Sequence, residues 1–170
     1  MNKPAICGGT PVRDTKLYYG HQYIDDADIA AVVETMQSPA LTCGPKITEL
    51  EKKLCEVTGA KYAVVVSNGT AALHIAAMAA GIGPGDEVIV SPITFAASAN
   101  CVLYCGGTPV FADINPKTYN IDPASIRARI TDKTKAIIIN SPSNPTGMVY
   151  TEDELRAIAD FAVENNLYVI

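Results

Sequence analysis

The residues of this sequence best suited to bind a ligand form the polar turn Ser67-Asn68-Gly69-Thr70. The turn follows the apolar run 62–66 and opens the alanine-rich run 71–80, so the pattern predicts a strand that leads into a helix. The first N–H groups of a helix have no intrahelical partner and lie at the positive end of its dipole. They therefore suit a phosphate group, to which Thr70 would add a hydroxyl donor. The alternative is a plain strand-helix turn with a threonine cap.

Two further polar turns, at residues 91–95 and 140–147, follow other predicted strands. In an open parallel sheet, ligands gather outside the carboxyl ends of the strands. Phe95 lies in the first of these turns, where its ring would either stack on a flat ligand or cover the sheet as a core residue. The second turn is rich in amides. Together the three turns suit a flat, phosphorylated ligand.

From Lys61 onward, apolar runs alternate with helical segments, which predicts an α/β fold with a mostly parallel sheet and helices on both faces. The near-continuous β-branched run 136–139 is typical of a buried central strand. The predicted strands are 62–66, 87–90, 109–112, 136–140 and 167–170. The predicted helices are 70–80, 95–105, 123–130 and 151–165, the last with a capping box at Thr151 and Glu154.

The first sixty residues lack this rhythm and predict an arm followed by two amphipathic helices, at 26–37 and 46–57. Asp25 is a suitable N-cap for the first helix, and Gly59 should end the second. We therefore divide the chain into residues 1–60, an arm with helices, and residues 61–170, part of a larger ligand-binding domain.

Composition excludes several classes of protein. The 170 residues are 48% apolar and 18% charged, with a net charge of −5 that gives no electrostatic footprint for nucleic acid. Apolar runs are too short to cross a membrane and the N-terminus resembles no signal peptide, so we expect a cytoplasmic protein. Five cysteines without a CxxC pair argue against a disulfide framework and against a metal site.

Several motifs carry the resemblance to a known family. They are Leu41-Thr-Cys-Gly-Pro-Lys-Ile47, Ser67-Asn-Gly-Thr-Ala-Ala-Leu73, Gly83-Pro-Gly-Asp-Glu-Val88, Thr94-Phe-Ala-Ala-Ser-Ala-Asn100, Gly107-Thr-Pro-Val-Phe-Ala-Asp113 and Tyr119-Asn-Ile-Asp122. With them, most of residues 1–138 resembles the nucleotide-sugar aminotransferases of the DegT/DnrJ/EryC1/StrS family.

This resemblance implies the three-layer large domain of a fold type I pyridoxal-phosphate transferase, present here in incomplete form. It implies pyridoxal 5′-phosphate as cofactor, with the phosphate on Gly69, Thr70 and Ala71 and the ring against Phe95. It also implies a 4-keto-6-deoxy UDP-sugar that receives an amino group from glutamate, and an active site at a homodimer interface.

After Ile139 the motifs change. Ser143-Asn-Pro-Thr-Gly-Met-Val-Tyr150, with residues 151–160 and 167–170, resembles the class I/II aminotransferases of amino acids. That resemblance implies that Asn144 hydrogen-bonds the 3′-oxygen of the cofactor. An amino acid substrate, a natural mosaic, an engineered chimera and a non-catalytic fragment that binds phosphate or pyridoxal phosphate all stay open.

Both resemblances place the lysine that forms a Schiff base with the cofactor downstream of Ile170, so we expect no catalytic residue within this chain. Lys61 and Lys135 precede their predicted strands, and so should lie at the opposite edge of the sheet from the ligand turns. Lys46 is the one lysine of this chain that the sequence leaves as a possible replacement for the Schiff-base lysine.

Overall fold

The structure is a computed structural model that describes residues 3–170; the first two residues of the predicted arm lie outside the described part. The chain divides into two compact units, one that ends at Ala63 and one that begins at Val64. The candidate ligand turns all belong to the second unit.

The first unit contains a short 3-10 helix, Ala5–Cys7, and two α-helices, α1 (Asp26–Gln37) and α2 (Pro45–Thr58). The side chain of Asp25 accepts hydrogen bonds from the N–H groups of Ala27 and Asp28, and the Asp28 carboxylate accepts one from the Asp25 N–H. This capping box fixes the start of α1. Gly59 ends α2 in the left-handed conformation, with φ of 75°. Both predicted helices are confirmed.

The second unit is a four-stranded parallel sheet with four helices. Its strands lie in the order β2-β1-β3-β4, and each crossover carries a helix. In chain order the elements are α3 (Gly69–Ala79), β1 (Glu87–Val90), α4 (Ala97–Tyr104), β2 (Thr108–Phe111), α5 (Pro123–Arg127), β3 (Thr134–Ile138), α6 (Glu152–Glu164) and β4 (Tyr168–Val169).

Successive side chains of the central strands point to opposite faces of the sheet, and each face has its own core. On one face, Val88 and Ala136 pack with residues of α3 and α4. On the other face, Ile89 and Ile137 pack with residues of α5 and α6. The unit is therefore a three-layer α/β/α sandwich. The predicted α/β class is confirmed. Residues 136–138 of the run 136–139 lie in the buried central strand β3, as predicted, whereas Ile139 follows its last residue and is half-buried.

The predicted strand 62–66 is wrong, because no β-ladder of the described residues includes it. The side chains of Tyr62 and Val64 are 77% and 68% exposed, so neither covers a core. A strand exists only through pairing with a neighbour, and an apolar run cannot by itself supply one. The segment leads into α3 without forming a strand of the described sheet.

Other predicted elements are longer than the observed ones. The helix predicted for 95–105 begins only at Ala97, because residues 91–96 form the loop that leaves β1. The helix predicted for 123–130 ends at Arg127, and β4 has two residues where four were predicted. Such ends depend on packing and pairing rather than on local pattern.

Candidate functional site

The amino end of α3 lies at the carboxyl edge of the sheet. At its other end, α3 leads through Gly81 to the start of β1, and the Gly81 carbonyl oxygen accepts a 2.6 Å hydrogen bond from the Nζ of Lys135, near the start of β3. Because α3 packs along the sheet between these edges, Gly69 lies at the edge where β1 and β3 end. The loops that contain Phe95 and Asn144 leave the sheet at the same edge.

The first turn of α3 offers donors to an anion. Asn68 caps the helix, since its side-chain oxygen accepts a 2.9 Å hydrogen bond from the Ala71 N–H. Within residues 3–170, the N–H groups of Gly69 and Thr70 and the Thr70 hydroxyl take part in no hydrogen bond. A Cβ on Gly69 would meet no atom within 4 Å, so the space beside the turn is open. The alternative of a threonine cap is wrong, because the cap is Asn68.

Ala71 differs from its two neighbours in the predicted phosphate turn. Its N–H already donates to the Asn68 side chain, so it could serve an anion only by exchanging that partner. Two backbone N–H groups and one hydroxyl are therefore available at the start of α3 without any change of the cap.

Phe95 lies in the loop between β1 and α4 with 71% of its surface exposed. Its carbonyl oxygen accepts a hydrogen bond from the Ser98 N–H, which starts the turn into α4. The alternative of a core phenylalanine is wrong. The ring is free to cover a flat ligand, and its stacking on a cofactor stays a prediction.

Asn144 lies exposed in the loop between β3 and α6. Two 2.7 Å backbone hydrogen bonds shape this loop, from the Ser143 N–H to the Met148 oxygen and from the Gly147 N–H to the Ser143 oxygen. Gly147 has φ of 72°, a conformation that favours glycine at this point of the turn. The amide of Asn144 is thus carried by a turn with a defined internal shape.

A small cleft of about 20 Å³, lined by both apolar and polar side chains, lies between the loop after β1 and the loop after β3. Such a volume suits about one water molecule. Its polar lining includes Thr94 and Ser98, whose hydroxyl oxygens lie 2.8 Å apart. The sequence identified neither Ser98 nor Asn120 and Tyr150, which also line the cleft, because nothing local marks residues that meet only after the strands have paired.

The lysines considered as catalytic substitutes are engaged elsewhere. Lys135 lies at the amino edge of the sheet, as predicted, where its Nζ is 3.1 Å from the Asp86 carboxylate. Lys46 lies in the first unit and donates a 3.1 Å hydrogen bond to the Glu49 carboxylate. This hydrogen bond, with the nearby charge of Glu34, raises the pKa of Lys46, which favours its charged form over the nucleophilic amine.

Among the described residues, no group of three or more His, Cys, Asp or Glu side chains could hold a metal ion. No helix formed by residues 3–170 has the length and apolar character that a membrane crossing requires.

The fold and the position of these turns define a class of protein. A parallel sheet between two layers of helices, here with the candidate ligand turns at its carboxyl edge, is the large-domain architecture of the fold type I pyridoxal-phosphate aminotransferases, and solved structures of that class superpose on this chain. The chain belongs to the DegT/DnrJ/EryC1/StrS aminotransferase family, whose sequence model matches residues 22–170.

Three relatives illustrate the similarity. The chain is 44% identical over 147 residues to the spore coat polysaccharide biosynthesis protein SpsC of Bacillus subtilis. The matched region covers 86% of this chain and 37% of SpsC. It is 45% identical over 140 residues to the GDP-perosamine synthase of Caulobacter vibrioides. That matched region covers 82% of this chain and 36% of the synthase. The solved sugar aminotransferase Spr1654 of Streptococcus pneumoniae, in its pyridoxal-phosphate form, superposes with a TM-score of 0.75 at 35% identity, over 86% of this chain and 36% of its own.

The chain spans little more than a third of the length of these relatives. The family match continues through residues 139–170. This part of the chain therefore belongs to the same family, although its motifs resemble those of class I/II enzymes.

Proposed function

We propose that this chain is the cofactor-binding N-terminal portion of a pyridoxal-phosphate-dependent aminotransferase that acts on a nucleotide sugar. The observation that carries the proposal is the pair of unpartnered N–H groups of Gly69 and Thr70 at the start of α3, on the sheet edge where the exposed Phe95 also lies. A site with anion donors beside an exposed aromatic ring fits a phosphorylated, planar cofactor.

Each site residue has a defined task in this proposal. The N–H groups of Gly69 and Thr70, with the Thr70 hydroxyl, hold the phosphate, assisted by the positive end of the α3 dipole. The Ala71 N–H joins them if the Asn68 side chain releases it. The Phe95 ring covers one face of the pyridine, and the Asn144 side-chain amide donates to the 3′-oxygen. When bound, pyridoxal phosphate supplies the electron sink that amino transfer requires.

The proposed substrate is a 4-keto-6-deoxy nucleotide sugar, with glutamate as the amino donor, a homodimer as the active assembly and the cytoplasm as its location. Support for the sugar comes from the family and from the names of relatives such as GDP-perosamine synthase. Support for the location comes from the five cysteines, which are all free thiols, as is usual in a reducing compartment.

A second candidate is an amino acid aminotransferase, which the turn around Asn144 favours. The sequence of that turn matches the class I/II motif, and two short backbone hydrogen bonds give the turn that contains Asn144 a defined shape. The two substrates need different binding groups, because a nucleotide sugar contains a diphosphate and a base that an amino acid lacks. Saturation-transfer NMR with UDP-sugar, GDP-sugar and glutamate distinguishes the two candidates by which ligand contacts the chain.

The decisive experiment compares pyridoxal phosphate with pyridoxal, which lacks the phosphate, in equilibrium dialysis against the 170-residue chain. If the α3 turn holds the phosphate, pyridoxal phosphate binds saturably and pyridoxal binds at least about tenfold more weakly, the equivalent of one or two charge-assisted hydrogen bonds. Equal affinities would contradict the phosphate site. Saturable binding of inorganic phosphate alone, with no added affinity from the ring, would favour a non-catalytic phosphate-binding fragment.

A further inference from the structure

Tyr150 stands at the end of the loop that carries Asn144, directly before Thr151, the N-cap of α6. Only 8% of its surface is exposed, and its ring belongs to the core cluster between the sheet and the helices α5 and α6. A tyrosine this deeply buried needs a partner for its hydroxyl group.

Both polar groups of Tyr150 connect the loop to other parts of the unit. The hydroxyl oxygen accepts a 3.3 Å hydrogen bond from the N–H of Ile121, which lies 29 residues earlier in the chain. The Tyr150 N–H donates a 3.2 Å hydrogen bond to the hydroxyl oxygen of Ser141, at the other end of the loop. Ile121 is itself buried, so without the tyrosine hydroxyl its N–H would lack both a partner and water.

The segment around Ile121, which donates the hydrogen bond to the Tyr150 hydroxyl, is held by backbone pairing of its own. Ile121 forms an antiparallel bridge with Ile114, and a 2.8 Å hydrogen bond joins the Asp122 N–H to the Asp113 oxygen. This short hairpin follows β2 and precedes α5. By contrast, the hydrogen bonds of Ser143 and Gly147 lie within the loop and fix its internal shape without attaching it to the hairpin.

We propose that Tyr150 is a positioning residue that fastens the Asn144 loop to the hairpin at Ile121 and so sets where the Asn144 amide lies. The role in cofactor binding rests on the proposed function, whereas the attachment of the loop is independent of it. Burial raises the pKa of the Tyr150 phenol, so the hydroxyl stays protonated and the attachment holds throughout the neutral range.

The test compares Tyr150→Phe, which keeps the ring and removes the hydroxyl, with the control Ile126→Val. Ile126 is 3% exposed and belongs to the same core cluster, so its truncation also lowers stability but leaves the loop attached. Tyr150→Phe should speed amide exchange at Ile121 and in the Asn144 loop by about 5- to 150-fold, the factor expected when a buried N–H loses its only hydrogen-bond partner. It should also lower the NMR order parameter of Asn144, and the control should do neither.

The second measurement is the Kd for pyridoxal phosphate. Tyr150→Phe should raise it by about 2- to 12-fold, and this rise should vanish when Asn144 is already replaced by Ala, because the two residues act through one another. Unchanged loop exchange and an unchanged Asn144 order parameter in Tyr150→Phe would overturn the proposal. An equal rise in Kd with and without Asn144 would overturn the coupling. If the parent chain binds no pyridoxal phosphate, the proposed function fails while the exchange data still decide the attachment.

Discussion

The side-chain oxygen of Asn68 accepts a hydrogen bond of 2.9 Å from the N–H of Ala71, so a phosphate bound as proposed would compete with the cap of α3 for this donor. The neighbouring N–H groups of Gly69 and Thr70 are free of this competition. Removal of the Thr70 hydroxyl should therefore weaken phosphate binding, whereas removal of the Asn68 side chain should not.

Thr70→Val removes a hydroxyl donor and keeps the shape of the side chain. We expect the free energy of pyridoxal-phosphate binding to weaken by about 0.5–1.5 kcal/mol for a neutral hydrogen bond, or by up to about 3 kcal/mol if the bond is charge-assisted. Thr70→Ser, which keeps the hydroxyl, is the matched control and should bind nearly as the parent chain does. Isothermal titration calorimetry measures both, and unchanged affinity in Thr70→Val would argue against the site.

Asn68→Ala removes the cap and leaves the Ala71 N–H available. The free energy of unfolding should fall by about 0.5–2 kcal/mol, the usual cost of losing an N-cap side chain. Phosphate affinity should stay the same or rise, because a third backbone donor no longer has an internal partner. Urea unfolding and the same calorimetric titration separate the two effects. A loss of affinity in a variant that remains folded would show that Asn68 itself contacts the phosphate.

Local signals in the sequence were sufficient wherever an element's start is encoded by neighbouring residues. Asp25 and Thr151 both form the capping boxes that their helices require, and Gly59 takes the left-handed conformation that ends α2. The apolar run at the centre of β3 was equally clear, since a strand covered on both faces is nearly continuous in apolar residues.

What the sequence could not supply depends on partners far away in the chain. The run 62–66 has the composition of a strand but pairs with no strand of the described sheet, and pairing cannot be read from one segment. Tyr150 meets Ile121 across 29 residues, a contact that arises only after β3 and the hairpin after β2 have come together. Asn68 and Thr70 lie only two residues apart, and spacing alone does not decide which of them caps the helix.

The ion pair of Asp86 and Lys135 at the amino edge of the sheet should make the stability of the second unit depend on pH. The hydrogen bond from Lys135, followed by one from the Gly83 N–H, lowers the pKa of Asp86 below its usual value of 3.8. A carboxyl whose pKa is lower in the folded state stabilises the fold above its unfolded pKa, and this contribution is lost as pH falls through the folded pKa.

Asp86→Asn should therefore lower the free energy of unfolding at neutral pH and flatten its decline below about pH 4, where the carboxyl of the unfolded parent chain binds a proton before that of the folded chain does. The matched control is Glu56→Gln, which breaks the exposed pair between Lys53 and Glu56 on α2 and should leave the acid limb almost unchanged. Urea unfolding from pH 2 to pH 7 measures both curves. An acid limb as steep in Asp86→Asn as in the parent chain would contradict the assignment.

The lysines of this chain should form no stoichiometric covalent adduct with pyridoxal phosphate. Lys135 is held at the amino edge of the sheet by the Gly81 oxygen and the Asp86 carboxylate. The hydrogen bond to Glu49 and the charge of Glu34 raise the pKa of Lys46, which further disfavours the neutral amine that acts as the nucleophile. Borohydride reduction of the mixture, followed by peptide mass spectrometry, should detect only scattered, substoichiometric modification.

The variant Glu49→Gln tests whether the charge state of Lys46 limits its reaction with pyridoxal phosphate. Glu49→Gln removes the largest cause of the raised Lys46 pKa, so modification of Lys46 should increase relative to Lys53, whose partner Glu56 is unchanged. The ratio of the two modified peptides, measured at one pH in the same digest, gives the comparison an internal reference. A single stoichiometric adduct in the parent chain, together with amino transfer from glutamate to a keto-sugar, would show instead that a resident lysine can perform the chemistry.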